Sequence, residues 1–168
     1  MRWRRIEACL DPDVLDAYLQ RLSGDSARAE ARAQAQRIAL QHEDPHLGLW
    51  FLTVRGDLEG IGELAAQRID ELDGAFYEVL RPAAEALAGG RPLPGTLLHR
   101  RMVESVLERG RSTAYDYAAR DLRRAAACAR QVEQGAAFEG HEAWLERVRI
   151  RHGRKRAFWS RVDGGAKA

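Results

Sequence analysis

The residues able to do chemistry in this chain stand mostly alone. His42 and His46 are four apart, as two metal ligands on one helix would be, but Asp44-Pro45 between them interrupts a helix and no third ligand accompanies them. They read as polar residues flanking a loop. Cys9 and Cys128 have no CxxC or Cys/His spacing, so neither a structural zinc site nor a disulfide framework is expected. Gly60-Ile61-Gly62 lacks the third glycine of a dinucleotide fingerprint and sits inside a helical pattern with no strand before it. Neither GxxxxGK[ST] nor GxSxG occurs. Ser23, Ser26, Ser105, Ser112 and Ser160 are the five serines, and three of them fall at or near expected helix ends, where capping accounts for them. The paired acids Asp70/Asp73 and Glu104/Glu108 read as solvated helix faces, because general acid–base work needs carboxylates converging in a cleft. No catalytic residue, metal or cofactor is expected.

One run is distinctive. Residues 148–159 read VRIRHGRKRAFW, placing cations beside adjacent aromatic rings. Guanidinium groups bind phosphates and aromatic rings stack on bases, so the run could serve a nucleic acid or another anionic partner. The alternative is that Phe158 and Trp159 dock the last helix on the core and the arginines lie outside with their heads in water. Arg151, Arg154, Lys155, Arg156 and Trp159 are the candidate partner-binding residues of this run. Tyr117, which faces away from the apolar stripe carrying Tyr115, joins them.

The remaining composition sets the frame. The chain has 168 residues, 45% hydrophobic and 31% charged, with a formal net charge of +2. That near balance excludes a globally basic nucleic-acid binder, though not a local patch. Residues 143–168 carry eight basic against two acidic side chains, and the remainder is mildly acidic. No apolar run of about 18 residues exists, so no membrane span is expected. The start, MRWRRIEACLDPDV, lacks the apolar stretch of a signal peptide. A cytoplasmic location is the expectation.

The elements that must position these residues read as helices throughout, with no alternating strand pattern. Asp11-Pro12, Asp44-Pro45 and Asp57 mark helix starts. HLGLWFLTV, residues 46–54, reads as a short buried helix because no partner strand is visible. Residues 75–88 read as a helix that Pro82 kinks or splits. GGRPLPG, 89–95, reads as the clearest loop, followed by a helix over 96–109 and another from Ser112 or Thr113 to about Val132. A last helical region covers 141–162 and is open to a break at Gly153. The expectation is an all-α chain of antiparallel helical hairpins, either a tetratricopeptide-like solenoid or a compact bundle. It is expected to form one all-helical domain over 1–162, with a disordered tail at 163–168.

The stretches LDGAFYEVLRPAAEAL (72–87), TLLHRRMVESVLERGRSTAYDYAARDL (96–122) and HGRKRAFWSRV (152–162) carry a resemblance. They are similar to the C-terminal half of a bacterial domain-of-unknown-function family with an HGRKxxFW ending, loosely from Leu10 to about Val162. Similar endings follow helical repeats in proteins with SWIM-type zinc fingers; that zinc-finger segment is missing here. Where the family usually has a histidine before AAR, this chain has Tyr117. The resemblance implies a helical, repeat-like fold and supplies no activity. The expected role is a non-catalytic interaction or scaffold module for a protein or peptide partner. The alternative is a nucleic-acid-associated module using residues 147–161.

Overall fold

The computed structural model describes residues 10–132 and 138–164. Among the described residues the chain is helical, with nine α-helices and two short 3-10 turns and no strand. Aspartates start three of the first four helices. Asp11 caps α1 (Pro12–Leu19) by accepting from the backbone N–H groups of Asp13 and Val14. Asp44 does the same for α3 (Pro45–Val54), and Asp57 for α4 (Leu58–Arg68). Each satisfies donors that an unfinished first turn leaves over.

The thin apolar face of α2 (Asp25–Gln41) has a packing reason. Its buried residues are Ala31, Ala35 and Ala39, and α3 lies close against them. Gly48 sits at the crossing, where a Cβ would collide with the Ala39 carbonyl. The apolar run 46–54 is indeed helical: Leu49, Phe51 and Leu52 are buried, while Val54 reaches solvent.

Proline placement sharpens the expectation at Pro82, where a split is excluded, and departs from it at Pro92 and Pro94. α5 (Tyr77–Leu87) runs unbroken through Pro82. The carbonyl deprived of its donor belongs to Glu78, an exposed position where water can replace the lost bond. α6 (Pro92–Glu108) begins inside the expected loop and absorbs Pro92 and Pro94 into its first turn, where a backbone donor is not required. Arg109 and Gly110 then turn the chain into a 3-10 turn (Ser112–Ala114) and α7 (Tyr115–Ala129). α8 (His141–His152) stops at Gly153, and α9 (Arg156–Gly164) follows. The expected break at Gly153 is therefore real. α9 takes in 163 and 164, which were expected in the tail; 165–168 lie outside the described residues, as does Cys9. Cys128 is a free, buried cysteine, and burial pushes its thiol up from the ordinary range.

Helices pack on their sequence neighbours and on the next but one: α2 on α3 and α4, α3 on α4 and α5, α4 on α5 and α6. The α6–α7 hairpin makes the most extensive contact. The apolar interior forms two clusters. One runs from Leu10 through α5 to Leu98 and Met102 on α6. The other gathers Val103, Leu107, Tyr115, Leu122, Trp144, Val148, Phe158 and Trp159. α6 thus belongs to both.

The C-terminal part carries a pH dependence. Burial holds His141 below the usual histidine range; Arg100 and Arg130 add to this and Glu142 opposes it. Burial, Arg151 and Lys155 do the same for His152, against Glu108 and Glu104. Both histidines fold best neutral, so their contribution is present above the ordinary histidine value of 6.5 and is lost as pH falls from there toward their lowered folded values. The urea midpoint should decline between about pH 7 and pH 5. His141→Phe, which keeps a ring beside Trp144 without a titrating group, should flatten that decline. An unchanged pH slope in the variant would contradict the assignment.

Candidate functional site

Three helices meet at one buried carboxylate. Asp121 on α7 is 2% exposed. Its Oδ1 lies 3.1 Å from Nδ1 of His99 on α6, itself 2% exposed. Its Oδ2 accepts at 3.0 Å from Nη2 of Arg81 on α5. Burial alone would raise the Asp121 carboxyl, but the hydrogen bonds from His99 and Arg81, with the Arg81 charge, hold it below the ordinary range. The carboxylate is therefore kept ionised and fully engaged, which locks the direction of the Arg81 guanidinium.

The i, i+4 rule brings the flanking rings into place. Tyr77 precedes Arg81 by one turn on α5, and Tyr117 precedes Asp121 by one turn on α7. The guanidinium carbon of Arg81 sits 5.6 Å from the centroid of each ring. Both tyrosines are about half exposed. Arg120 also stacks on Tyr117, at 4.7 Å.

Arg81, Tyr117 and Asp121 stand between two neighbouring cavities. The larger, about 350 Å³, is lined by Met102, Ser105 and Val106 of α6, by Arg111 and Thr113, and by Gly74-Ala75. The smaller, about 240 Å³, adds Glu85, Arg120 and Arg124. Together they present four arginines against two carboxylates. Glu85 is paired with Arg124, and Asp121 with Arg81. Arg111 and Arg120 have no carboxylate partner among the described residues.

The rim of the larger cavity is held rigidly. Gly74 abuts the Arg101 backbone so closely that a Cβ would strike its carbonyl and lie 2.8 Å from the Ser105 Cβ. Asp73 accepts from the Ala75 N–H and pairs with Arg109, while its own N–H donates to His46 Nε2 at 2.8 Å. His46 is thus a structural acceptor in this turn. His42 likewise accepts from the Asp44 N–H. Among the described residues no three of His, Cys, Asp or Glu come together as a metal would require.

The basic run behaves differently from its appearance in the sequence. Arg147 pairs with Glu104 and Glu139, Arg149 with Asp163, Arg151 with Glu108, and Arg161 with Asp116. Much of its positive charge is spent on carboxylates of α6 and α7. Arg154, Lys155 and Arg156 have no such partner among the described residues. Trp159 is 6% exposed, edge-on to Phe158 at 4.9 Å, and its indole N–H donates to the His152 carbonyl. As a stacking platform it is corrected to a core residue, with Arg149 lying over its ring. Of the six candidates, Tyr117 is the one lining the cavities; Arg151, Arg154, Lys155 and Arg156 line neither.

Another cavity, about 360 Å³, lies beside Arg100, Trp144 and Phe138. Arg100 is buried between those two rings and donates to the Glu139 carbonyl, and burial pulls its pKa down. Its lining balances Arg100, Arg101 and Arg147 against Asp70, Glu104 and Glu139, so it shows no excess of either sign.

Sequence reasoning missed Arg81, His99 and Asp121. Yet all three lie in the stretches 72–87 and 96–122 that carried the family resemblance. No curated protein and no solved structure matches the chain. A family model described as "Family of unknown function (DUF6880)" covers residues 1–161, and the chain belongs to that family.

Proposed function

We propose that this chain is a non-catalytic interaction module that takes an acidic peptide segment of a partner protein into the groove formed by the two cavities around Arg81 and Tyr117. The observation that carries this reading is a pair of half-exposed tyrosines, Tyr77 and Tyr117, flanking an open cavity of about 350 Å³ with arginine in excess. Tyrosine supplies large contact area with little entropy to lose, and both tyrosine and arginine are enriched in binding hot spots. The surplus of positive charge selects against basic segments and speeds encounter with acidic ones. Packing of α2, α3, α4 and α7 on their next-but-one neighbours supports a stack of helical hairpins, an architecture that presents extended grooves.

Displayed random peptides selected on the protein test this reading. Enriched sequences should be acidic and should fail to bind the Tyr77→Ala/Tyr117→Ala variant, whose rings are outside the core. No enrichment, or equal binding to the variant, would refute it. A labelled single-stranded oligonucleotide serves as the competing arm. If it binds with steep salt dependence that Arg154→Ala/Lys155→Ala/Arg156→Ala removes, while peptides do not bind, the basic run is the functional surface instead.

A further inference from the structure

The geometry points to a glutamate side chain as the anchor of that peptide, held by Arg81 with Arg111 at the cavity mouth. The inference rests on the peptide-binding reading and deepens it.

Arg81 offers five N–H donors, and among the described residues its guanidinium makes one hydrogen bond, from Nη2 to Asp121. The side chain is 25% exposed and lines both cavities, so the remaining donors face accessible space. A free arginine would lose side-chain entropy on binding. Arg81 has already lost it: Asp121 fixes one end, His99 fixes Asp121, and two tyrosine rings flank the guanidinium. A group held this way is pre-organised for a planar, two-oxygen acceptor.

The charge and the lining select among acceptors. Asp121 neutralises Arg81, so Arg111 supplies the unpaired positive charge of the larger cavity. Within the larger cavity that is one net charge, which suits a monoanion better than a phosphate dianion; the second arginine without a carboxylate partner, Arg120, lines the smaller cavity. Met102, Val106 and Ala118 give that cavity an apolar wall for the two methylenes of glutamate. Ser105 and Thr113 add hydroxyls able to serve the flanking peptide backbone.

The test uses the full chain, ¹⁵N-labelled, with N-acetyl-glutamate N-methylamide as the probe. Its glutamine counterpart and inorganic phosphate are the controls. The Arg81 Nε resonance should move on addition of the glutamate probe, with the glutamine probe at least about tenfold weaker and phosphate weaker too. Arg111→Gln changes an exposed side chain without an ion pair; it should retain the melting temperature and lose several-fold in affinity. Arg81→Lys keeps the charge but not the fork and should bind at least about tenfold more weakly. Equal binding of the two amino-acid probes, tighter binding of phosphate, or an unmoved Arg81 signal would overturn the proposal. Selected peptides that bind through Tyr77 and Tyr117 but tolerate glutamate-to-glutamine replacement would remove the anchor and leave the groove standing. If no peptide binds, both readings fall.

Discussion

Asp121→Ala should destabilise the chain by about 3–5 kcal/mol, because it strips a buried carboxylate from two partners at once. His99 would be left buried without its acceptor, and Arg81 would lose the anion that offsets its partly buried charge. For a chain of this size the melting temperature should fall by about 10 °C. Asp121→Asn, which keeps the shape and one acceptor oxygen, should cost less. The pH dependence has a definite sign. The folded carboxyl titrates below the ordinary aspartate value of 3.8, so its contribution is complete above that value and is lost as pH falls through the lower folded one. The alanine variant should therefore show a shallower loss of stability in acid than the parent. A variant that melts with the parent would mean that the three-helix junction stores little energy, and would remove the reason for regarding Arg81 as fixed.

The second large effect is expected at Trp159. Truncation to alanine should cost about 3–5 kcal/mol, as for other large rings removed from a core. The loss includes contact with Phe158, the N–H bond to the His152 carbonyl and the surface over which Arg149 lies. Denaturant melts give the measurement directly. Phe replacement should recover part of the apolar term but not the N–H bond. A melt unaltered by Trp159→Ala would place the indole outside the core and return the basic run to contention as a recognition surface.

These two residues also show what a single sequence discloses. The starts at Asp11, Asp44 and Asp57 were legible because a cap is decided by atoms three residues apart. That Pro82 leaves its helix unsplit was not legible, because its cost depends on whether the stranded carbonyl meets water, and that is settled by burial, not by position in the chain. Pro92 and Pro94 look like loop residues until the helix start is known. The arginine-rich run attracted notice because it is contiguous. Its neutralising partners Glu104, Glu108 and Asp116 sit on other helices, out of view of any local reading. The candidate site had the opposite difficulty. Asp121 is 22 residues from His99 and 40 from Arg81, and tertiary packing alone unites them. The local trace available was the repeated spacing of Tyr77 to Arg81 and Tyr117 to Asp121, which sets an aromatic ring one turn before a charge on each of two helices.

Because Leu98 and Met102 look into one apolar cluster while Val103 and Leu107 look into the other, α6 is a party wall. Neither half of the chain owns it, and neither can be excised with a finished surface. Fragment complementation should therefore reassemble pieces only when one of them brings α6 intact, with the missing side of that helix supplied by its counterpart. Severing within α6 would leave two fragments, each with an open flank and no hydrophobic lid to close it.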